Sequence, residues 1–109
     1  MFKKPDLTGY KQVNEGVQRK VLVYGDKMIM TEFKLTAGSI VPEHDHPHEQ
    51  TGYVVSGRIR MNVKGEQPFE TGPGGAWSIP GDKLHSADAL EDAVVVEVFH
   101  PLREDFFDK

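Results

Sequence analysis

Short runs of β-branched and aromatic residues, broken at close intervals by glycine and proline, make up most of the chain. Residues 17–24, 27–36, 51–56, 58–63, 76–80, 84–89 and 93–99 each read as a strand. Alternation is clearest in one of them, where Ile59, Met61 and Val63 share a face and Arg58, Arg60 and Asn62 share the other. The Ser56-Gly57 step between two apolar-rich runs predicts a tight hairpin. Gly65-Glu66 and Gly72-Pro73-Gly74-Gly75 predict further turns. No helix longer than about two turns is expected, and the best candidate is the tail at residues 103–107. Repeats of fixed period and low-complexity segments are absent. Many short strands with frequent turns predict an all-β sandwich or barrel.

The run Ala93-Val94-Val95-Val96-Glu97-Val98-Phe99 is apolar on both faces. A strand of this kind is buried on both sides, so it is expected at the centre of a sheet, or covered by a second sheet or subunit. Glu97 interrupts the face carrying Val95 and Phe99. A buried carboxylate needs an arginine, a metal or a substrate beside it. Two readings stay open: a structural salt bridge, or a face that lines a pocket.

The chain has 109 residues, enough for one domain spanning 1–109 with a modest core. Net charge is −4 and the lysines and arginines are scattered, which argues against a nucleic-acid footprint or a membrane-surface patch. The absence of cysteine excludes disulfides, zinc fingers and thiol catalysis. The start of the chain lacks the apolar run of a signal peptide and no segment is long enough to span a bilayer, so a cytoplasmic location is expected.

Candidate chemistry concentrates in His44-Asp45-His46-Pro47-His48-Glu49-Gln50, with His85 further on. Three imidazoles, two carboxylates and an amide in seven residues read as a metal site, since neutral imidazole is the commonest ligand of divalent transition ions. On a strand, His44 and His46 would present both rings on one face. Pro47 ends that strand, so alternation does not say which of His48, Glu49 and Gln50 turns inward. His85 follows a turn at Pro80-Gly81-Asp82-Lys83, and a barrel can bring its strand beside that of His44.

These residues carry a family resemblance. Gly38, His44, His46, Gln50 and Gly57 are spaced as in the first signature of the cupin superfamily, and Gly74, Pro80, Asp82 and His85 as in the second. The motifs occupy residues 38–57 and 74–85. The resemblance implies a double-stranded β-helix, or jelly-roll barrel, here with a short C-terminal helical tail. It also implies a metal held inside by His44, His46, Gln50 and His85, with Glu49 an alternative to Gln50. His48 is then expected at the rim and His100 at the surface. The chain departs from the general pattern in three ways: Gln50 stands where glutamate is usual, Asp82 replaces a turn glycine, and an asparagine common after the second motif is missing. A neutral glutamine leaves a divalent ion its full charge, which favours an anionic ligand. The donor set suits nickel, zinc, manganese, iron or copper.

The segment from His46 to Val54 and the ending from Val98 to Phe106 resemble more narrowly the small pectin-degradation cupins, which convert 4,5-unsaturated monouronates into linear keto sugars. That resemblance implies Glu97, Phe99 and Arg103 as catalytic residues; the acid in the group is typically aspartate, one methylene shorter. A raised pKa would suit Glu97 to acid–base work, Arg103 could grip an anion bidentately, and Tyr53 or Trp77 could offer a sugar-stacking surface. The expected function is therefore metal-dependent isomerisation of a small anionic substrate such as an unsaturated uronate. An iron-dependent dioxygenase and a non-catalytic binding module are the alternatives. Both-sided burial of the last strand and the small core lead to the expectation of a homodimer.

Overall fold

The computed structural model describes residues 1–107. Ten strands build two sheets: β1 (Lys11–Asn14), β2 (Val17–Tyr24), β3 (Ile29–Leu35), β4 (Ile40–His44), β5 (Glu49–Ser56), β6 (Ile59–Val63), β7 (Phe69–Thr71), β8 (Ala76–Ile79), β9 (His85–Ala89) and β10 (Ala93–His100). The six-stranded sheet runs β1-β2-β3-β10-β5-β8 and the four-stranded sheet β4-β9-β6-β7. The pairings are antiparallel, and the sheets face one another as a jelly-roll barrel. A single 3-10 turn at Glu104–Phe107 forms the helical tail. No helix among the described residues is long and apolar enough to cross a membrane.

The seven strands legible in the sequence are present within about two residues of the expected bounds. β1 and β7 have no counterpart in the sequence reading, and β4 is the strand expected to carry His44 and His46, although it ends at His44. All three lie at sheet edges. Edge strands need little apolar alternation, and Pro42 is tolerated in β4 for the same reason.

Ser56-Gly57 is not a hairpin. β5 belongs to the six-stranded sheet and β6 to the other, so the chain changes sheet there. Gly57 is required at that corner: its φ is +81°, and a Cβ would lie 2.1 Å from the Asp92 carbonyl oxygen. The hairpin lies one element later, where the Gly65 turn joins the paired strands β6 and β7.

β10 lies between β3 and β5. Its inward side chains Val95, Glu97 and Phe99 are buried. Val94, Val96 and Val98, on the outer face, are only half-buried, so the expected burial on both sides is complete on one side alone. The interior packs as two clusters. One contains Val17, Leu35, Val54, Ile59, Ile79 and Val95; the other joins Ile29, Phe99 and Phe106. Each of the large aliphatic side chains contributes roughly 1.5–3 kcal/mol by leaving water. The 3-10 turn drives Phe106 into one end of the barrel, its ring 5.2 Å from that of Phe99. Between the clusters lies a cavity of about 320 Å³.

Candidate functional site

Register brings the first two histidines together. His44 ends β4, His85 begins β9, and the two are direct cross-strand partners with ring centroids 4.3 Å apart. His46 lies beyond the end of β4, so strand alternation is not what aligns it with His44. The segment carrying it is fixed by the following turn: the Asp82 N–H donates to the His46 carbonyl at 2.6 Å. Asp82 holds φ +64°, the left-handed conformation that aspartate tolerates better than most residues, and so it replaces the usual glycine without losing the turn. The His46 ring comes within 5.0 Å of His85 and 5.5 Å of His44, centroid to centroid.

The ring orientations are set from behind. Each Nδ1 faces a backbone carbonyl: His44 to Pro42 at 2.7 Å, His46 to His48 at 2.9 Å, His85 to Lys83 at 2.7 Å. A carbonyl only accepts, so Nδ1 carries the proton and Nε2 keeps its lone pair in the neutral ring. Nε2 of His46 and His85 is buried without a hydrogen-bond partner among the described residues. Ligand nitrogens of the three residues lie within 4.8 Å of one another. Burial lowers the pKa of His46 to about 4, with the nearby Arg103, His85 and His44 acting in the same direction. Burial also lowers that of His85. The shift favours the neutral form of both rings, the form metal ligation requires.

Gln50 reaches the same place from β5. Its Oε1 is buried with no hydrogen-bond partner among the described residues, while Nε2 donates to both oxygens of Glu97, at 2.9 and 3.0 Å. Glu97 also accepts the indole N–H of Trp77 at 2.7 Å. Burial pushes the Glu97 carboxyl up to about 7, against the opposing pull of the hydrogen bonds from Trp77 and Gln50 and of the Arg103 charge. Among the described residues no ion pair forms at Glu97; its hydrogen-bond partners there are an amide and an indole. Of the two sequence readings, the face lines a pocket: Gln50, Trp77, His44, His85, Glu97 and Phe99 all border the cavity.

Arg103 stands at the aromatic end. Its guanidinium lies 4.9 Å from the Phe99 ring centroid and 4.2 Å from that of Phe106. One bidentate edge is taken by Asp105 of the same chain, with Nε–Oδ1 at 3.0 Å and Nη2–Oδ2 at 2.8 Å. An anion in the cavity would meet the remaining donors, so the expected fork-on grip is partly used internally.

Glu49 is exposed, on the opposite face of β5 from Gln50. His48 is half-buried beside His46 and outside the three-histidine group; His100 is exposed. Tyr53 is 52% exposed on the outer face, so it offers no stacking surface to this cavity. Trp77 does border it. Arg19 was missed. It points inward from β2 opposite Phe33, borders the cavity, and stacks 4.0 Å from the Phe106 centroid. The signal was available, because Arg19 interrupts the inward set Val17, Arg19, Val21 just as Glu97 interrupts its own. Gly52 was missed too. It separates Glu97 from Trp77 in the register Glu97–Gly52–Trp77 across three strands.

Neutral nitrogen donors with fixed tautomers and a buried, unpartnered amide oxygen fit a divalent transition metal. Comparison with known proteins agrees with the architecture. Residues 31–100 match the family described as Cupin domain. A pectin degradation protein, KdgF of Dickeya dadantii (strain 3937), is 28% identical over 103 residues, 93% of each chain. The structure of KdgF from Halomonas sp. superposes with a TM-score of 0.91 at 32% identity, covering 98% of this chain and all of that one. An RmlC-like cupin from Shewanella frigidimarina NCIMB 400 gives a TM-score of 0.89 at 26% identity, covering 96% of this chain and 94% of that one.

Proposed function

The chain belongs to the cupin domain family, and from that premise we propose that it is a metal-dependent isomerase opening and ketonising 4,5-unsaturated monouronates released by pectin or alginate breakdown. The observation that carries the proposal is a buried carboxyl of near-neutral pKa, Glu97, sharing one cavity with the imidazoles of His44 and His85 and the Arg103 guanidinium, with His46 grouped beside those two rings. Likeness to two proteins named KdgF, one described as a pectin degradation protein, supports the substrate class.

His44, His46, Gln50 and His85 would hold the metal. When bound, it supplies Lewis acidity and, because no ligand carries a charge, a strong pull on an anionic or hydroxyl-bearing substrate. Arg103 binds the uronate carboxylate with the donors Asp105 leaves over. Phe99 and Phe106 wall the site against water and orient the ring. Ring opening breaks the bond between the ring oxygen and the anomeric carbon; the anomeric hydroxyl gives up its proton to become the aldehyde, and the ring oxygen leaves as an enolate. Ketonisation then adds a proton at the alkene carbon, so atoms balance with no redox change. Glu97 carries that proton. Its Oε2 accepts one hydrogen bond against two at Oε1, which leaves Oε2 a lone pair for the task.

We also propose a homodimer formed through the outer face of the six-stranded sheet. There Met30, Tyr53 and Val55 are exposed and Val94, Val96 and Val98 half-buried. Light scattering on the eluting protein tests it, with a monomer mass as the contrary result.

The activity is tested with freshly prepared unsaturated galacturonate and mannuronate. Loss of alkene absorbance should outpace the spontaneous reaction with metal-loaded protein and fall back to it after chelation. A metal-loaded rate equal to background would reject the proposal.

A further inference from the structure

The Gln50 amide has two chemically opposite ends, and only one can serve a metal. Nε2 carries two protons and no available lone pair; Oε1 carries two lone pairs. Both hydrogen bonds of Nε2 run to Glu97, and Oε1 is left buried without a hydrogen-bond partner among the described residues. On the side facing position 50 the carboxylate offers only acceptors, so it dictates which end of the amide turns toward the imidazoles. Glu97 is itself anchored by the indole of Trp77, which reaches it across the side-chain-free Gly52. We infer that Trp77, Glu97 and Gln50 form one positioning chain, in which Glu97 locks the Gln50 amide oxygen toward the three histidines, and that this coupling is the reason a glutamine stands at position 50.

A glutamate at position 50 would set acceptor against acceptor at the 2.9–3.0 Å separation now spanned by two hydrogen bonds. Residues 50 and 97 are therefore a donor–acceptor pair that can be reversed together but not changed singly. The inference rests on reading the histidines as a metal centre. It makes Trp77 a positioning residue, acting on the centre through Glu97.

The test uses Co²⁺ alone as the probe, with metal-free protein as the reference. In the metal-free wild type the side-chain ¹H–¹⁵N pair of Gln50, identified by its disappearance in Gln50→Glu, should exchange slowly with solvent. The indole resonance of the chain's one tryptophan should be hydrogen-bond shifted. Glu97→Gln puts an NH₂ group where Oε2 accepted, so it should move both resonances and weaken Co²⁺ binding about tenfold. Gln50→Glu should lower the metal-free melting temperature. The double variant Gln50→Glu/Glu97→Gln, with donor and acceptor exchanged, should recover both melting temperature and Co²⁺ affinity. Unchanged resonances and affinity in Glu97→Gln, or a double variant showing the plain sum of the single losses, would overturn the inference. If Glu97→Gln does not fold, Trp77→Phe replaces it. The Gln50 resonances and Co²⁺ affinity must then shift, although the one indole donor of Trp77 goes to Glu97. If Co²⁺ fails to bind the wild type, the metal reading falls instead, and the metal-free resonances and melting temperatures decide the coupling by themselves.

Discussion

The indole of Trp77 fills the space that a side chain at Gly52 would occupy: a Cβ there would lie 2.2 Å from Cε2. Glycine at this position keeps a lane open across the sheet, along which Nε1 reaches Glu97. Gly52→Ala must displace a large ring or shift the strand, at about 1–3 kcal/mol. We expect that loss in urea denaturation, together with a blue- or red-shifted tryptophan emission as the ring leaves its buried acceptor. Wild-type stability and emission in Gly52→Ala would contradict the packing argument.

Glu97 should dominate the pH dependence of the proposed reaction. Its carboxyl is pushed by burial up to about 7, so kcat/KM should show an ionisation near neutrality. Glu97→Gln should lower kcat about 100- to 1,000-fold and abolish that ionisation. Steady-state rates across pH 5–9 check this. A profile unchanged by the substitution would move the proton transfer to another group.

Acid stability of the metal-free protein should reveal two opposing groups. The folded pKa of His46 is depressed from 6.5 to about 4, so its contribution is present above pH 6.5 and is lost as pH falls through 4. Burial depresses His48 and His85 in the same sense. The folded pKa of Glu97 is raised from 4.5 to about 7, so its contribution is present below pH 4.5 and is lost as pH rises through 7. Between pH 6.5 and 4.5 they partly cancel. Glu97→Gln removes the compensating group, and its stability should fall more steeply on acidification than that of the wild type. Chemical denaturation at intervals across that window gives the two slopes.

Arg19 and Arg103 share the Phe106 ring and border one cavity. If an anionic substrate sits there, each guanidinium contributes chiefly to binding. Arg19→Gln should raise KM about tenfold with kcat little changed, the size of one lost charge-assisted hydrogen bond. Arg103→Gln should raise it further, because Asp105 then loses its partner as well. A fall in kcat at constant KM for Arg19→Gln would place that residue in the chemical step instead.

The central strands were legible because inward and outward residues differ in kind. Ile59, Met61 and Val63 alternate with Arg60 and Asn62, and the valine run of β10 stands out without any coordinates. The edges were not legible. Lys11–Asn14 and Phe69–Thr71 bury too little to need a pattern, and their strand character comes from hydrogen bonding to a neighbour already in place. The change of sheet at Gly57 was hidden as well, since a corner and a hairpin use the same turn chemistry.

The sequence by itself determined the all-β class and the histidine spacing, because both are local: strand period, turn residues and the order of donors along the chain. It also marked Glu97 as a charge set in an apolar face. Tertiary structure alone decided what that charge meets. The amide of Gln50 and the indole of Trp77 converge on it only because β10, β5 and β8 lie side by side in one register, and because Gly52 has no side chain in the way. Such contacts join residues 20 and 47 positions apart, beyond the reach of any local pattern. They depend on registers fixed by the packing of the whole barrel.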